Sequence, residues 1–188
     1  MIYRWLFPIV WFVFIAFWIA MARGGKAVAE RESAYSRLSH YLPLAIAIYL
    51  LAAPHVPVGI LDQRFASLSL WLVHLGAALT IAGIAFAIWA RMWIAGNWSS
   101  DVTLKRDHEL IVAGPYCWVR HPIYTGILLA LSGTALAVGE WRAALAVALA
   151  AVAFWRKLRI EEAVMRRQFG EAYARYAERV PALIPFVV

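Results

Sequence analysis

Long, uninterrupted blocks of apolar residues constrain this chain more than any other feature of its sequence. Such blocks, almost free of charge, occupy residues 5–22, 41–61, 68–94, 123–138 and 141–155. A helix that crosses a bilayer needs about 20 consecutive, mostly apolar residues. Hydrophobic residues make up 64% of the chain, whereas about half is usual in a soluble domain. We therefore expect an all-α, polytopic membrane protein with about five transmembrane helices.

The first block has one competing interpretation, a secretory signal peptide, because Ala20-Met21-Ala22 resembles a cleavage site. The block is long, rich in Trp and Phe, and preceded by a single basic residue, which favours a retained transmembrane helix. In the second block, Pro43 suits the first turn of a helix.

Gly139-Glu140 separates the last two blocks and predicts a helical hairpin. From Arg156 to Glu178 the sequence becomes charged but keeps apolar and aromatic residues at helical spacing. We expect the fifth helix to continue through this stretch as an amphipathic helix, ended by Pro181.

Positive charge is distributed unevenly around the five blocks. In the five-span arrangement, 15 of the 18 Lys and Arg residues lie on one side, and Arg4, Arg64 and Arg142 lie on the other. The positive-inside rule then places the N-terminus outside and the C-terminus in the cytoplasm. The segment 101–121 and the C-terminal helix share that cytoplasmic face. The net charge of +7 suits anionic headgroups, and no nucleic-acid-binding module is visible.

The cysteine and histidine residues do not indicate a disulfide or a metal site. A single cysteine, Cys117, excludes an intrachain disulfide. The five histidines are scattered and lack the spacing of metal ligands, so we predict no metal site.

The most polar part between the blocks ends in Arg120-His121-Pro122-Ile123-Tyr124-Thr125-Gly126. Pro122 suits the first turn of the fourth helix, and a helix N-terminus beside Arg120 and His121 favours an anion such as a carboxylate or phosphate. The alternative is an interfacial anchor, in which Arg120 extends to the headgroups and Tyr124 belongs to the aromatic belt.

Two adjacent carboxylates, Glu161 and Glu162, follow the fifth block by about one turn. Neighbouring helical residues point about 100° apart, so we expect only one of them to face the protein interior. A carboxylate there suits a bound cation or a ribose hydroxyl. The alternative is surface pairing of Glu161 with Lys157 and of Glu162 with Arg166, both at i,i+4 spacing.

Taken together, these motifs resemble the isoprenylcysteine carboxyl methyltransferase family over about residues 97 to 188. The resemblance is carried by His108-Glu109-Leu110-Ile111, Gly114-Pro115-Tyr116, RHPIYTG at 120–126, Glu161-Glu162, Phe169-Gly170, Tyr173, Tyr176, Val180-Pro181 and Pro185. It implies a membrane-embedded, S-adenosylmethionine-dependent methyltransferase whose cytosolic cofactor pocket is roofed by the C-terminal helix. We expect one membrane domain over 1–188, with a two-helix part at 1–67 and a methyltransferase core at 68–188.

The resemblance also implies roles for single residues. Carried over by motif, the cofactor contacts are Asp101, His108, Leu110, Ile111, Tyr116, His121, Tyr124 and Glu161, to which the anion site adds Arg120. Lys157 takes the position of a basic residue that helps to bind the methyl acceptor, where arginine is typical, and lysine lacks the bidentate fork of arginine. Glu162 and His121 are the alternative candidate bases for acceptors that must lose a proton.

The acceptor and two rival functions stay open at this point. A lipophilic acceptor is expected to enter from the bilayer, and an isoprenylcysteine-like carboxylate, a phospholipid amine and a thiol all fit. NADPH-dependent membrane sterol or steroid reductases share an RHPxY-like motif, but they usually carry Asn where Ile123 stands. The second rival is a non-enzymatic membrane protein, although no span carries an acid–base pair near its centre, as ion transport would require.

Overall fold

The structure is a computed structural model, and it describes residues 2–21, 28–31, 33–67, 69–94, 103–105 and 110–185. These residues form helices α1 (Ile2–Met21), α2 (Ala34–Ala52), α3 (Leu70–Ile94), α4 (Pro122–Val138), α5 (Trp141–Phe169) and α6 (Glu171–Arg179). Two short strands, β1 (Val28–Arg31) and β2 (Thr103–Lys105), pair antiparallel. The described chain is therefore helical, as predicted, with one small ribbon that the sequence did not indicate.

One helix in the described ranges, α3, is long and apolar enough to cross a membrane by itself. Trp5–Met21 and Pro122–Val138 are shorter apolar helices. The number of five spans stays a prediction.

The centre of the bundle is the contact between α3 and α4, where backbones approach closely. A Cβ built on Gly83 would lie 2.5 Å from the carbonyl oxygen of Gly126. Nearby, the Thr80 and Thr134 hydroxyls lie 3.2 Å apart, and Nε1 of Trp11 on α1 donates to Oγ1 of Thr134 at 3.1 Å. Small residues that let helices touch, joined by hydrogen bonds, are the usual way in which helices associate in lipid.

Helix α2 packs along α5. Ala47 and Leu50 of α2 share a buried cluster with Ala146 and Ala150 of α5. The buried Arg142 on α5 donates from Nη1 to the Leu50 carbonyl at 2.6 Å. The N-terminal helices are thus held against the rest of the bundle.

Two expectations about helix limits are wrong. Helix α2 begins at Ala34, where the Ser33 side chain accepts from the Ser36 N–H at 3.2 Å, so Pro43 lies inside the helix rather than in its first turn. The amphipathic stretch from Arg156 to Glu178 is interrupted at Gly170, whose φ of 51° is a conformation that glycine adopts readily.

Other helix limits agree with the sequence. Pro122 is the first residue of α4, where its missing N–H costs no hydrogen bond. Gly139 ends that helix with a φ of 69°, and α5 begins two residues later. The predicted hairpin is therefore present, and it places the start of α4 beside the charged half of α5.

Candidate functional site

The segment that leads into α4 is paired along its backbone with the chain that follows α6. The N–H groups of Arg120 and His121 donate to the carbonyls of Pro181 and Ala182, at 2.9 and 3.0 Å. Oγ1 of Thr125 donates to the Leu183 carbonyl at 2.6 Å. The C-terminal segment therefore lies directly against the RHPIYTG motif.

Arg120 is buried in this junction, with a side chain that is 12% exposed. Its Nε and Nη2 lie 2.8 and 2.7 Å from Oε1 of Glu162 on α5. Its Nη1 donates to the carbonyls of Ala177, at 2.9 Å, and Val180. Arg120 therefore joins α5 to the end of α6, and it does not extend towards headgroups as the anchor interpretation requires.

His121 lies between the two adjacent glutamates. Its Nδ1 is 3.5 Å from Oε2 of Glu161, and its Nε2 is 3.4 Å from Oε1 of Glu162. The expectation that only one glutamate faces the interior is therefore wrong, because side chains about 100° apart on a helix can hold a ring between them.

Electrostatics favour a charged imidazole at this place. Burial of His121 acts to lower its pKa, but hydrogen bonds and charge from Glu161 and Glu162 outweigh burial and raise it. Burial likewise acts to raise the pKa of Glu162, but His121 and Arg120 lower it to about 2. The pKa of Glu161 is also lowered, because His121 and Lys157 outweigh the effect of burial. The cluster thus places Arg120 and His121 against two carboxylates.

Tyr124 connects this cluster to an aromatic stack. Its hydroxyl donates to Oε1 of Glu161 at 2.5 Å. Its ring stacks on those of His121 and Phe154, with centroids 5.6 and 4.8 Å away. Nζ of Lys157 lies over the Tyr124 ring, 5.7 Å from its centroid.

Tyr116 forms the apolar part of the site. It is buried in a cluster with Ile123, against which Ile111 and Tyr124 also pack. Its backbone carbonyl accepts from the Tyr176 hydroxyl of α6 at 2.7 Å. Burial is the main cause that raises the pKa of Tyr116, so its hydroxyl stays protonated.

The structure thus brings together Ile111, Tyr116, Arg120, His121, Tyr124, Lys157, Glu161 and Glu162. Leu110, which directly precedes Ile111, is half-buried. Asp101 and His108 lie outside the described residues.

Sequence reasoning missed three contributors to this site: the Tyr176 hydroxyl, the carbonyls of 181–183 and the Thr125 hydroxyl. Tyr176 could have been identified from the sequence, because it belongs to the C-terminal motif that carries the resemblance. Backbone carbonyls carry no signal of residue type, so their pairing with residues 120 and 121 was not accessible from the sequence.

Comparison with known proteins finds the family that the motifs resemble. The sequence model of the isoprenylcysteine carboxyl methyltransferase family matches residues 76–167. The match begins before residue 97, where the resemblance in the motifs begins. It ends before the C-terminal motifs at Phe169–Pro185. It includes both halves of the site, residues 110–124 and the glutamate pair.

Individual relatives are similar over about 60% of this chain. Protein-S-isoprenylcysteine O-methyltransferase B of Arabidopsis thaliana is 30% identical over 62% of this chain and 61% of its own length. A cobalt-zinc-cadmium resistance protein of Cupriavidus metallidurans is 30% identical over 61% of this chain and 51% of its own length. The chain therefore spans less than two thirds of these relatives.

A solved structure shares the fold. The eukaryotic intramembrane Ras methyltransferase, an isoprenylcysteine carboxyl methyltransferase, superimposes with a TM-score of 0.53 and 26% identity. The superposition covers 81% of this chain and 52% of that protein. The resemblance in the motifs is confirmed: residues 76–167 of this chain match the isoprenylcysteine carboxyl methyltransferase family.

Proposed function

We propose that the protein is a membrane-embedded, S-adenosylmethionine-dependent methyltransferase that acts on a lipophilic acceptor. The observation that carries this proposal is the 2.5 Å hydrogen bond between Tyr124 and Glu161. It joins the two motifs that the resemblance assigns to one cofactor site, although they are 37 residues apart in sequence.

The side chains present suit the chemical groups of S-adenosylmethionine. Glu161, with a side chain that is 22% exposed, suits the ammonium or a ribose hydroxyl. The N-terminus of α4, which begins beside His121, suits the carboxylate, because a helix N-terminus favours an anion. Ile111 and Tyr116 offer an apolar and aromatic surface for the adenine. We assign Arg120 to holding Glu162, since its N–H groups already bind that carboxylate and two carbonyls.

When bound, S-adenosylmethionine supplies an electrophilic methyl group on a positively charged sulfur. The protein's share of catalysis is then to orient the acceptor and exclude water, which contributes a large part of the rate in such transfers. We assign acceptor binding to Lys157, whose ammonium suits a carboxylate.

The electrostatics favour a carboxylate as the acceptor. A thiol or amine must lose a proton to a base, and an effective base has a pKa near the working pH. Glu162, whose pKa is lowered to about 2, is a weak base, and both ring nitrogens of His121 already lie against carboxylates. A carboxylate needs no base, so we propose O-methylation of an isoprenylated cysteine carboxylate, and we assign Glu162 to positioning His121.

The same proposal includes the orientation in the membrane, with five spans, the N-terminus outside and the site in the cytoplasm. The β1–β2 ribbon supports it, because it pairs two loops that the charge pattern puts on the cytoplasmic side. On the opposite side, Arg64 lies 3.7 Å from Glu140, two residues that the pattern places outside. A reporter fused after Val188 should therefore give a cytoplasmic signal.

Calorimetric titration of the purified protein in detergent separates the proposal from its rivals. We expect saturable binding of S-adenosylhomocysteine and no heat from NADPH. Glu171→Gln, a change at an exposed carboxylate on α6, serves as a control that leaves binding intact. Binding of NADPH instead would support a reductase, and binding of neither would support a non-enzymatic protein.

A further inference from the structure

Tyr41 belongs to α2, which precedes the region that matches the family, yet its ring reaches the candidate site. Nζ of Lys157 lies 6.0 Å from the centroid of the Tyr41 ring and 5.7 Å from that of Tyr124. A cation is attracted to the face of an aromatic ring within about 6 Å. The Lys157 ammonium is therefore held by rings from two helices, α2 and α4.

The neighbouring contacts keep this part of α2 in place. Arg156, the residue before Lys157, donates from Nε to the hydroxyl of Ser39. Further along the two helices, Ala47 and Leu50 are buried against α5. The position of the Tyr41 ring over α5 thus follows from packing along most of α2.

A lysine needs such positioning more than an arginine does. Its ammonium is a compact charge on a flexible four-carbon stem, without a planar fork that fixes the geometry of a bound carboxylate. Two rings that attract the ammonium restrict where it lies, and a restricted group loses less entropy when it binds.

We propose that Tyr41 is a positioning residue that, with Tyr124, sets the Lys157 ammonium in place for the acceptor carboxylate. The first two helices then contribute to acceptor affinity as well as to packing. This inference rests on the proposed function, because that proposal gives Lys157 its acceptor. The methyl donor is held elsewhere in the proposal, by Glu161 and the N-terminus of α4, so the two binding steps should respond differently.

The test is a set of α2 variants assayed for methyl transfer to N-acetylated S-farnesylcysteine in lipid nanodiscs. Tyr41→Leu should raise the KM for this acceptor about 3- to 30-fold, the range expected for a lost cation–π contact. Tyr41→Phe keeps the ring and should recover most of the affinity. Tyr49→Leu, at a tyrosine that is 59% exposed on the same helix, is the matched control and should leave KM unchanged.

Two further measurements separate positioning from a general loss of structure. The Kd for S-adenosylhomocysteine should stay within about twofold of wild type in Tyr41→Leu, since a damaged fold would weaken both ligands. In a Lys157→Met background, Tyr41→Leu should add no further increase in KM, because the cation that the ring holds is gone. If Tyr41→Leu does not fold, Tyr41→Met replaces it in both comparisons.

Each outcome decides a different point. Wild-type protein that transfers no methyl group to the farnesylated probe overturns the proposed function, and the role of Tyr41 with it. Active wild-type protein with an unchanged KM in Tyr41→Leu overturns the role of Tyr41 alone. Full additivity with Lys157→Met also contradicts that role, since it would show that Tyr41 acts without the lysine.

Discussion

Arg120 and Glu162 form a buried ion pair in which Nε and Nη2 of the guanidinium lie 2.8 and 2.7 Å from one carboxylate oxygen. The pair joins Arg120, two residues before the start of α4, to the charged half of α5. Because His121 follows Arg120 directly and also contacts Glu162, the same pair fixes one wall of the candidate site.

The first prediction concerns the stability that this pair provides. Arg120→Gln leaves Glu162 buried without its main partner, and removal of one member of a buried ion pair costs about 3–5 kcal/mol. We expect a loss of that size in the free energy of unfolding, measured by denaturant titration in detergent. Arg175→Gln is the control, since its pair with Glu171 is mostly exposed and is worth at most about 0.5 kcal/mol. Equal losses in both variants would show that the Arg120 pair has no special role.

The second prediction concerns the donor site. Glu161→Gln removes a charge that the proposal places against the ammonium or ribose, a contact worth ~1.5–3 kcal/mol. The affinity for S-adenosylhomocysteine should fall about 10- to 100-fold in calorimetry. Glu162→Gln should act mainly on stability, because Arg120 and His121 already bind its carboxylate. Equal, small effects on affinity would show that Glu161 does not bind the cofactor.

The third prediction concerns pH. The pKa of His121 is higher in the folded protein than its ordinary value of 6.5, because Glu161 and Glu162 outweigh burial. Its contribution to stability is therefore complete below about pH 6.5 and is lost as pH rises through the folded pKa. Thermal unfolding should show a wild-type advantage over His121→Gln that shrinks as the pH rises above about 6.5. A difference that does not shrink as the pH rises would mean that the pKa of His121 is not raised in the fold.

Glu162 should show the opposite dependence on pH. Its folded pKa is about 2, below its ordinary value of 4.5, so its contribution is present above pH 4.5 and is lost as pH falls through about 2. The wild-type advantage over Glu162→Gln in thermal unfolding should therefore shrink on acidification. An advantage that persists at the lowest pH would contradict the ion pair.

The fourth prediction concerns the contact between α3 and α4. In Gly83→Ala the new Cβ would lie 2.5 Å from the Gly126 carbonyl oxygen, so the helices must separate, at a cost of about 1–3 kcal/mol. The same experiment on Ala82→Val, an exposed position one residue away, should show little change. Wild-type stability in Gly83→Ala would mean that the close approach is unimportant.

Much of the helical framework was predictable from the sequence. A helix that crosses the bilayer must be apolar over the thickness of the bilayer, so a long apolar block marks a helix. Residues 68–94 and 123–138 were expected as helices, and α3 and α4 begin and end within two residues of those limits. The limits of α2 were not predictable in the same way. Its first turns, from Ala34 to His40, are polar, and apolar periodicity gives no signal there.

The site was predictable only where residue types carried a signal. The motifs identified His121, Tyr124 and Glu161 as members of one site, and the structure places them in contact. The Arg120–Glu162 pair was not foreseen, because its residues are 42 positions apart and their meeting depends on how α5 lies beside the start of α4. Tyr41 was missed for the same reason.

The proposed methylation of an isoprenylated cysteine carboxylate is tested most directly by measuring methyl transfer. Purified protein in lipid nanodiscs is incubated with S-adenosylmethionine labelled in its methyl group and with N-acetylated S-farnesylcysteine, and the lipid product is treated with base. We expect label in the farnesylated product and its release as methanol, because a methyl ester is cleaved by base. Absence of label from the product, or label that resists base, would contradict carboxylate methylation by this protein.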